Sequence, residues 1–368
     1  MEGIKLSSES LFDKEQKFRD PPVGYKFDAI ELHKLSKAPG QPDSAATKVL
    51  SLSQDNLCTW LSPTSQDNTV EHTPEASLRL VSIRRDLDVT LCISKSSFAT
   101  IFHSIKAHPS IKYMICRDYD GFHEFCGDGF RLTRFLGNPL YALVWTFDPD
   151  TMTTAAMFLD RRRHTFTKFT NMLREHSTLI STPSLLAFVS SYFLLQFFDL
   201  ETGGWELNTV RTVEERTGFG PHPTGYRGLE PLTLVQSYDI SQLTSWLQAM
   251  SEVAGNASNR ARHVRMCLFV LKKIGDEHER REDHGIPGQV VERHRHSLAA
   301  IAKAIPQVEQ HILTYIDYLM YLKDRSERLC TVVGTPTIVL LCVVLDAKAP
   351  RRSYPPCSRT KTPTPAST

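Results

Sequence analysis

VERHRHSLAAIAKAIPQVEQHILTYIDYLMYLKDRSERLCTVV, residues 291–333, is the stretch whose reading decides the fold. Alternating steps of three and four residues pick out Val291, His294, Leu298, Ile301, Ile305, Val308, Ile312, Tyr315, Leu319, Leu322, Ser326, Leu329 and Val333. Eleven of these thirteen are apolar, so the seam has a period near 3.5, that of a helix and not of a strand. Pro306 lacks a backbone donor, which predicts two helical pieces meeting at a bend, the second starting near the proline. Two readings stay open: an amphipathic helix packed on its own domain, or a stalk continuing toward something beyond it. In the stalk reading, Val291 to Ile305 is covered within the domain. Ile312 to Val333 then projects, leaving Tyr315, Leu319, Leu322 and Leu329 partly exposed.

Around this seam, 368 residues are enough for a large core and for two domains. Forty-three basic residues against 41 acidic ones give no bulk attraction to nucleic acid or acidic lipid. The eight cysteines are scattered without a C-x-x-C pair, which argues against a structural zinc site and for a reducing compartment. MEGIKLSSES has no apolar signal core, so no cleaved secretory peptide is expected.

Upstream, residues 1–76 read as irregular or disordered, with a short helix near Phe27 to Leu35. Order is expected from Leu78. LRLVSIRRDLDVTLCI suggests two strands, SKSSFATIFHSI a helix capped by Ser94 or Ser96, and IKYMIC (111–116) another strand. Asp128-Gly129 marks a turn between aromatic-rich segments, and YALVWTF (141–147) with TTAAMFLD (153–160) reads as a hairpin. The sum is a sheet of four to six strands within 78–160, with Phe98, Phe102, Val144, Trp145 and Phe158 in its packing. Helices follow from Thr165, so the fold class is α/β (α+β): a mixed or antiparallel sheet covered by helices, with a long C-terminal helix. The expected divisions are 1–76 irregular, 77–290 the α/β domain, 291–333 the stalk-like segment, and 334–368 an apolar then Pro/Arg-rich, disordered tail. Two apolar runs, Pro183 to Phe198 and Leu329 to Leu345, are short or interrupted for a membrane span, and both read as non-spanning.

No catalytic motif stands out: there is no G-x-S-x-G, no H-E-x-x-H and no Walker loop, so an enzyme is not expected. CGDGF (126–130) reads as a turn and RRRH (161–164) as a solvated strand end. GDEHERREDHG (275–285) is the best metal candidate, offering His278, Glu279, Asp283 and His284, with Glu292, His294 and His296 just downstream. Arg280, Arg281, Arg293 and Arg295 oppose a cation there, so a surface linker between helices is the expected role. Metal ligands therefore stay unassigned, as do catalytic and cofactor-binding residues.

Three segments together resemble the CorA-like divalent metal-ion transporter family, in its fungal branch. They are LRLVSIRRDLDVTLCISKSSFATIFHSIKAHPSI (78–111), VRTVEERTGFG (210–220) and YIDYLMYLKDRSERLCTVV (315–333). The second carries Val213, Glu214, Thr217 and Gly218 of that branch's Val-Glu-x-x-Thr-Gly signature, and the third is similar to its stalk. YALVWTFDPDTMTTAAMFL also looks like its last strand pair. The resemblance implies a cytosolic α/β/α domain, a stalk helix, two membrane helices, a pentameric pore with a Gly-Met-Asn mouth, and Mg²⁺ as a regulatory ion. It implies membrane association, and homo-oligomers or full-length family subunits as partners through the stalk. Nucleic acid and small-molecule substrates are not expected. The sequence departs from the pattern at Gly334, and residues 334–368 hold no Gly-Met-Asn and no second span. The expectation is a cytosolic domain whose pore is replaced by an unrelated end, from a frame change or a retained intervening sequence, and which alone is cytoplasmic. The alternative is a soluble helical interaction protein on the same fold.

Overall fold

The computed structural model describes residues 2–35, 44–61, 74–86, 90–117, 119–127, 130–162, 164–217, 219, 240–281 and 286–348. Its strands are β1 (Phe27–Leu35), β2 (Ser44–Leu52), β3 (Ala76–Arg84), β4 (Gly121–Gly127), β5 (Phe130–Gly137), β6 (Tyr141–Asp148) and β7 (Thr153–Asp160). The helices are α1 (Glu2–Glu15), α2 (Gln54–Leu61), α3 (Lys95–Ser104), α4 (Ile111–Cys116), α5 (Thr165–Glu175), α6 (Leu185–Glu201), α7 (Leu207–Thr217), α8 (Ile240–Arg280) and α9 (Gly288–Lys348). The chain divides into two compact units: Met1–Gly203 with Ala257–Met320, and Gly204–Asn256 with Tyr321–Thr368.

The first unit holds a seven-stranded mixed sheet in the order β2-β1-β3-β7-β6-β5-β4. All its pairings are antiparallel except β3–β7, which is parallel from Ser77↔Thr153 to Arg84↔Asp160. The β6–β7 hairpin turns where the sequence predicts. Asp148 accepts hydrogen bonds from the Asp150 amide (3.3 Å) and the Thr151 hydroxyl (3.0 Å), which fixes an aspartate turn. Side chains alternate between two apolar layers. Leu143, Trp145, Phe147 and Phe158 pack with α5, α6, α8 and α9; Val144, Met157, Leu159 and Phe135 pack with α1 to α4. Every residue of β6 is buried, so its unbroken apolar run is that of a central strand covered on both faces. Phe98 and Phe102 are buried as expected, and the Ser94 side chain caps α3 by accepting from the Ser97 amide at 3.1 Å.

Several expectations need correction. The sheet has seven strands, because β1 and β2 form from the segment expected to be irregular. Phe27–Leu35 is a strand and not a helix: Glu31 and Lys34 are buried within it and mask its alternation. IKYMIC forms α4, burying Ile111, Met114 and Ile115 at helical spacing. Between Arg84 and Ile93 there is no second strand among the described residues, only bridges from Leu91 to Phe18 and Arg85. α9 runs unbroken for 61 residues through both Pro306 and Gly334. Proline removes one helical hydrogen bond, and burial of Ile301, Ile305, Val308 and Ile312 around it offsets that cost. Asp128-Gly129, Gly218, Asp283, His284 and the 349–368 tail lie outside the described residues.

The stalk-like exposure is also corrected. Tyr315 and Leu319 are 3% and 1% exposed and belong to the core of the first unit. Leu322, Leu329 and Val333 are buried in the second unit against Val210, Val213, Leu243, Met250 and Val253. The seam is apolar because the chain's own helices cover it. Among the described residues one helical run, Leu185–Thr217, is long and apolar enough to cross a membrane, and 67% of its most apolar window is buried inside the chain.

Candidate functional site

Where α8 ends and α9 begins, the first unit has a cleft of about 480 Å³. It brings together four of the metal candidates read from the sequence, His278, Glu279, Glu292 and His294, with Arg281 and Arg295, two of the arginines expected to oppose a cation there. His296 does not line it. His294 is fully buried, whereas His278 and Glu279 are exposed. Arg295 donates to Glu292 at 3.2 Å, so that carboxylate is already matched by a cation. No group of three or more His, Cys, Asp or Glu side chains among the described residues has the geometry to hold a metal ion. Among the described residues, the donor set of this cleft is cationic and anionic in equal measure, and it suits polar recognition better than ligation.

Two further charge clusters are committed to structure. Arg134 on β5 is 2% exposed and donates to Glu124 on β4 (2.7 Å), Ser184 ahead of α6 (2.8 Å) and Glu277 on α8 (3.0 Å). Ser184 in turn donates to Glu277 at 2.6 Å, so Glu277 Oε2 takes both Arg134 and Ser184. Just ahead of β4, Asp120 receives His263, Arg262 and Arg161, each at 3.0 Å. Gly137 permits this node, because a β-carbon there would collide with the Tyr119 carbonyl. RRRH accordingly forms no anion site among the described residues: Arg161 is bound to Asp120, and Arg162 contacts Glu201 at 3.4 Å.

These surroundings set the acid response. Burial opposes ionisation of Asp120, but the hydrogen bonds from His263 and Arg262 outweigh it and hold its pKa at about 2. Glu31, bonded to His33 and to Arg79 (2.7 Å), is likewise held at about 2 against its burial. Both carboxylates contribute stability that is complete above their unfolded values near 4 and is lost as pH falls toward 2. Asp160 behaves oppositely, since burial raises it to about 6 despite backbone hydrogen bonds from Arg162 and Phe166. Its ionisation removes stability as pH rises from about 4 to 6. Asp160→Asn should therefore gain about 1 kcal/mol at pH 7, discounted for partial solvation, and nothing at pH 4. Urea unfolding at the two pH values checks this, and an equal effect at both would refute it.

The second unit contains a contact that the sequence could not announce. Glu214 on α7 takes Arg325 of α9 in a two-point ion pair, Arg325 Nε to Glu214 Oε1 at 2.9 Å and Nη2 to Oε2. Residues from 210–220 and from 315–333 also share one apolar cluster. No protein-family model matches the chain, and a search of curated proteins finds no match.

Proposed function

We propose that this chain is the cytosolic regulatory domain and stalk of a CorA-like divalent metal-ion transporter-family protein. The observation that carries the reading is the meeting of Glu214 and Arg325. Two segments that suggested the family separately, the Val-Glu-x-x-Thr signature and the stalk, are joined by a two-point ion pair and a common core. A mixed sheet between two helical layers and a 61-residue final helix add support. No Gly-Met-Asn occurs in these residues, so ion permeation is not assigned to them. Mg²⁺ enters as a regulatory ion on carboxylates that remain unassigned, and no catalytic role is proposed.

Coverage of the seam by the chain's own helices favours a second reading, a soluble interaction protein on the same fold. In the transporter reading, subunit contacts must then use the outer side of α9, where Leu313 is 49% and Met320 36% exposed. Sedimentation of the full chain at roughly tens of micromolar, with chelator and with millimolar Mg²⁺, separates the two. An oligomer whose thermal stability rises with Mg²⁺ is expected. A strict monomer indifferent to Mg²⁺ would leave the soluble protein as the reading.

A further inference from the structure

We propose that the cleft between the end of α8 and the start of α9 binds a small zwitterion, an α-amino acid with a short aliphatic side chain. This stands apart from the transporter reading and does not depend on it. The argument begins with the charges that remain available. Arg295 and Glu292 neutralise each other, while among the described residues neither Arg281 nor Glu279 makes an ion pair. A guanidinium takes a carboxylate in two-point geometry, and a carboxylate takes an ammonium. Among the described residues, Leu298 and the exposed Ala299 add apolar atoms to the lining for an alkyl group.

The same charges disfavour the alternatives. Among the described residues, the two carboxylates of the lining repel a phosphate dianion, and its two arginines repel a free cation. A ligand bearing both signs is matched by Arg281 and Glu279 at once. The volume of about 480 Å³ lies within the range of small-molecule sites. Arg281 also adopts a φ of 52°, left-handed backbone at a helix end where glycine is the unstrained choice. His278, on the same rim, is a further donor to a bound carboxylate when it carries the second proton.

The test titrates the full chain with L-alanine and L-leucine, and separately with acetate, n-butylamine and inorganic phosphate, by calorimetry. Saturable binding of the amino acids is expected, with acetate and n-butylamine each binding about tenfold or more weakly. Arg281→Gln and Glu279→Gln should each weaken amino-acid binding by about tenfold or more. Both side chains are exposed, so thermal unfolding should stay at the parent value and folding failure is separable from loss of the site. Lys272→Ala, an exposed change on α8 outside the cleft, should leave binding unchanged. Absence of amino-acid binding, phosphate binding as tightly as alanine, or full binding in both glutamine variants would each overturn the assignment.

Discussion

Leu319→Asp should abolish cooperative folding of the sheet-bearing unit. Leu319 is 1% exposed and lies in the layer that joins α9 to α6, α8 and the sheet. A carboxylate there either stays charged without a partner or takes up a proton, and each course costs several kcal/mol beyond the lost leucine burial. The expected cost exceeds about 4 kcal/mol, a large share of what holds a domain together. Loss of the thermal transition and of much of the far-UV signal is the readout. Leu313→Asp provides the contrast, because Leu313 is on the same helix yet 49% exposed. That change should cost under about 0.5 kcal/mol and, if α9 is a subunit contact, reduce association. A well-folded Leu319→Asp protein melting within a few degrees of the parent would contradict the packing described for the seam.

Arg134→Leu is the second large effect. Its side chain, 3% exposed, places the guanidinium between Glu124 and Glu277, and the Glu277 side chain is only 6% exposed. Removing the cation leaves the buried Glu277 carboxylate, still hydrogen-bonded by Ser184, without Arg134's charge, at a cost of about 3–5 kcal/mol. Arg134→Leu combined with Glu277→Leu should recover much of that loss, since a buried pair contributes little net against apolar replacements of similar size. A double-mutant cycle in guanidinium chloride reads the coupling. If the single substitution costs less than about 1 kcal/mol, or the double costs the full sum of the singles, the node is not the closed charge cluster described.

The seam in α9 shows what a sequence can and cannot disclose. Its period identified the right side chains: Ile301, Ile312, Leu319, Leu322 and Leu329 are all buried. What covers them is a tertiary property, and periodicity carries no information about it. The β6–β7 hairpin was legible because Asp148-Pro149-Asp150 is a strong turn between two apolar runs. β1 was not, because Glu31 reads as a solvent residue until Arg79, on a strand 48 residues away in number, appears beside it. α4 was misjudged because six apolar-rich residues fit either period. In the candidate site, His278, Glu279, Glu292 and His294 were named from composition alone. Arg134 and Glu277, 143 positions apart, carry no local signal of their partnership. Glu214 was visible as a signature residue, while its role as the partner of Arg325 was not.

The single parallel pairing in the sheet has a consequence for how the chain reaches this state. β2-β1-β3 and β7-β6-β5-β4 are each sets of antiparallel neighbours, and only β3–β7 joins them. Asp148 and Thr153 close the β6–β7 hairpin across a short turn, whereas Ser77 must find Thr153 across 76 positions. Ideal-chain closure makes the longer search roughly 2 kcal/mol more costly in entropy, which favours the two half-sheets forming before they join. Until they do, β3 and β7 are bare edges, rich in Leu, Val, Ile and Met and able to pair with any other strand. The risk of misassembly during synthesis therefore concentrates on the two strands that end at the centre of the finished sheet.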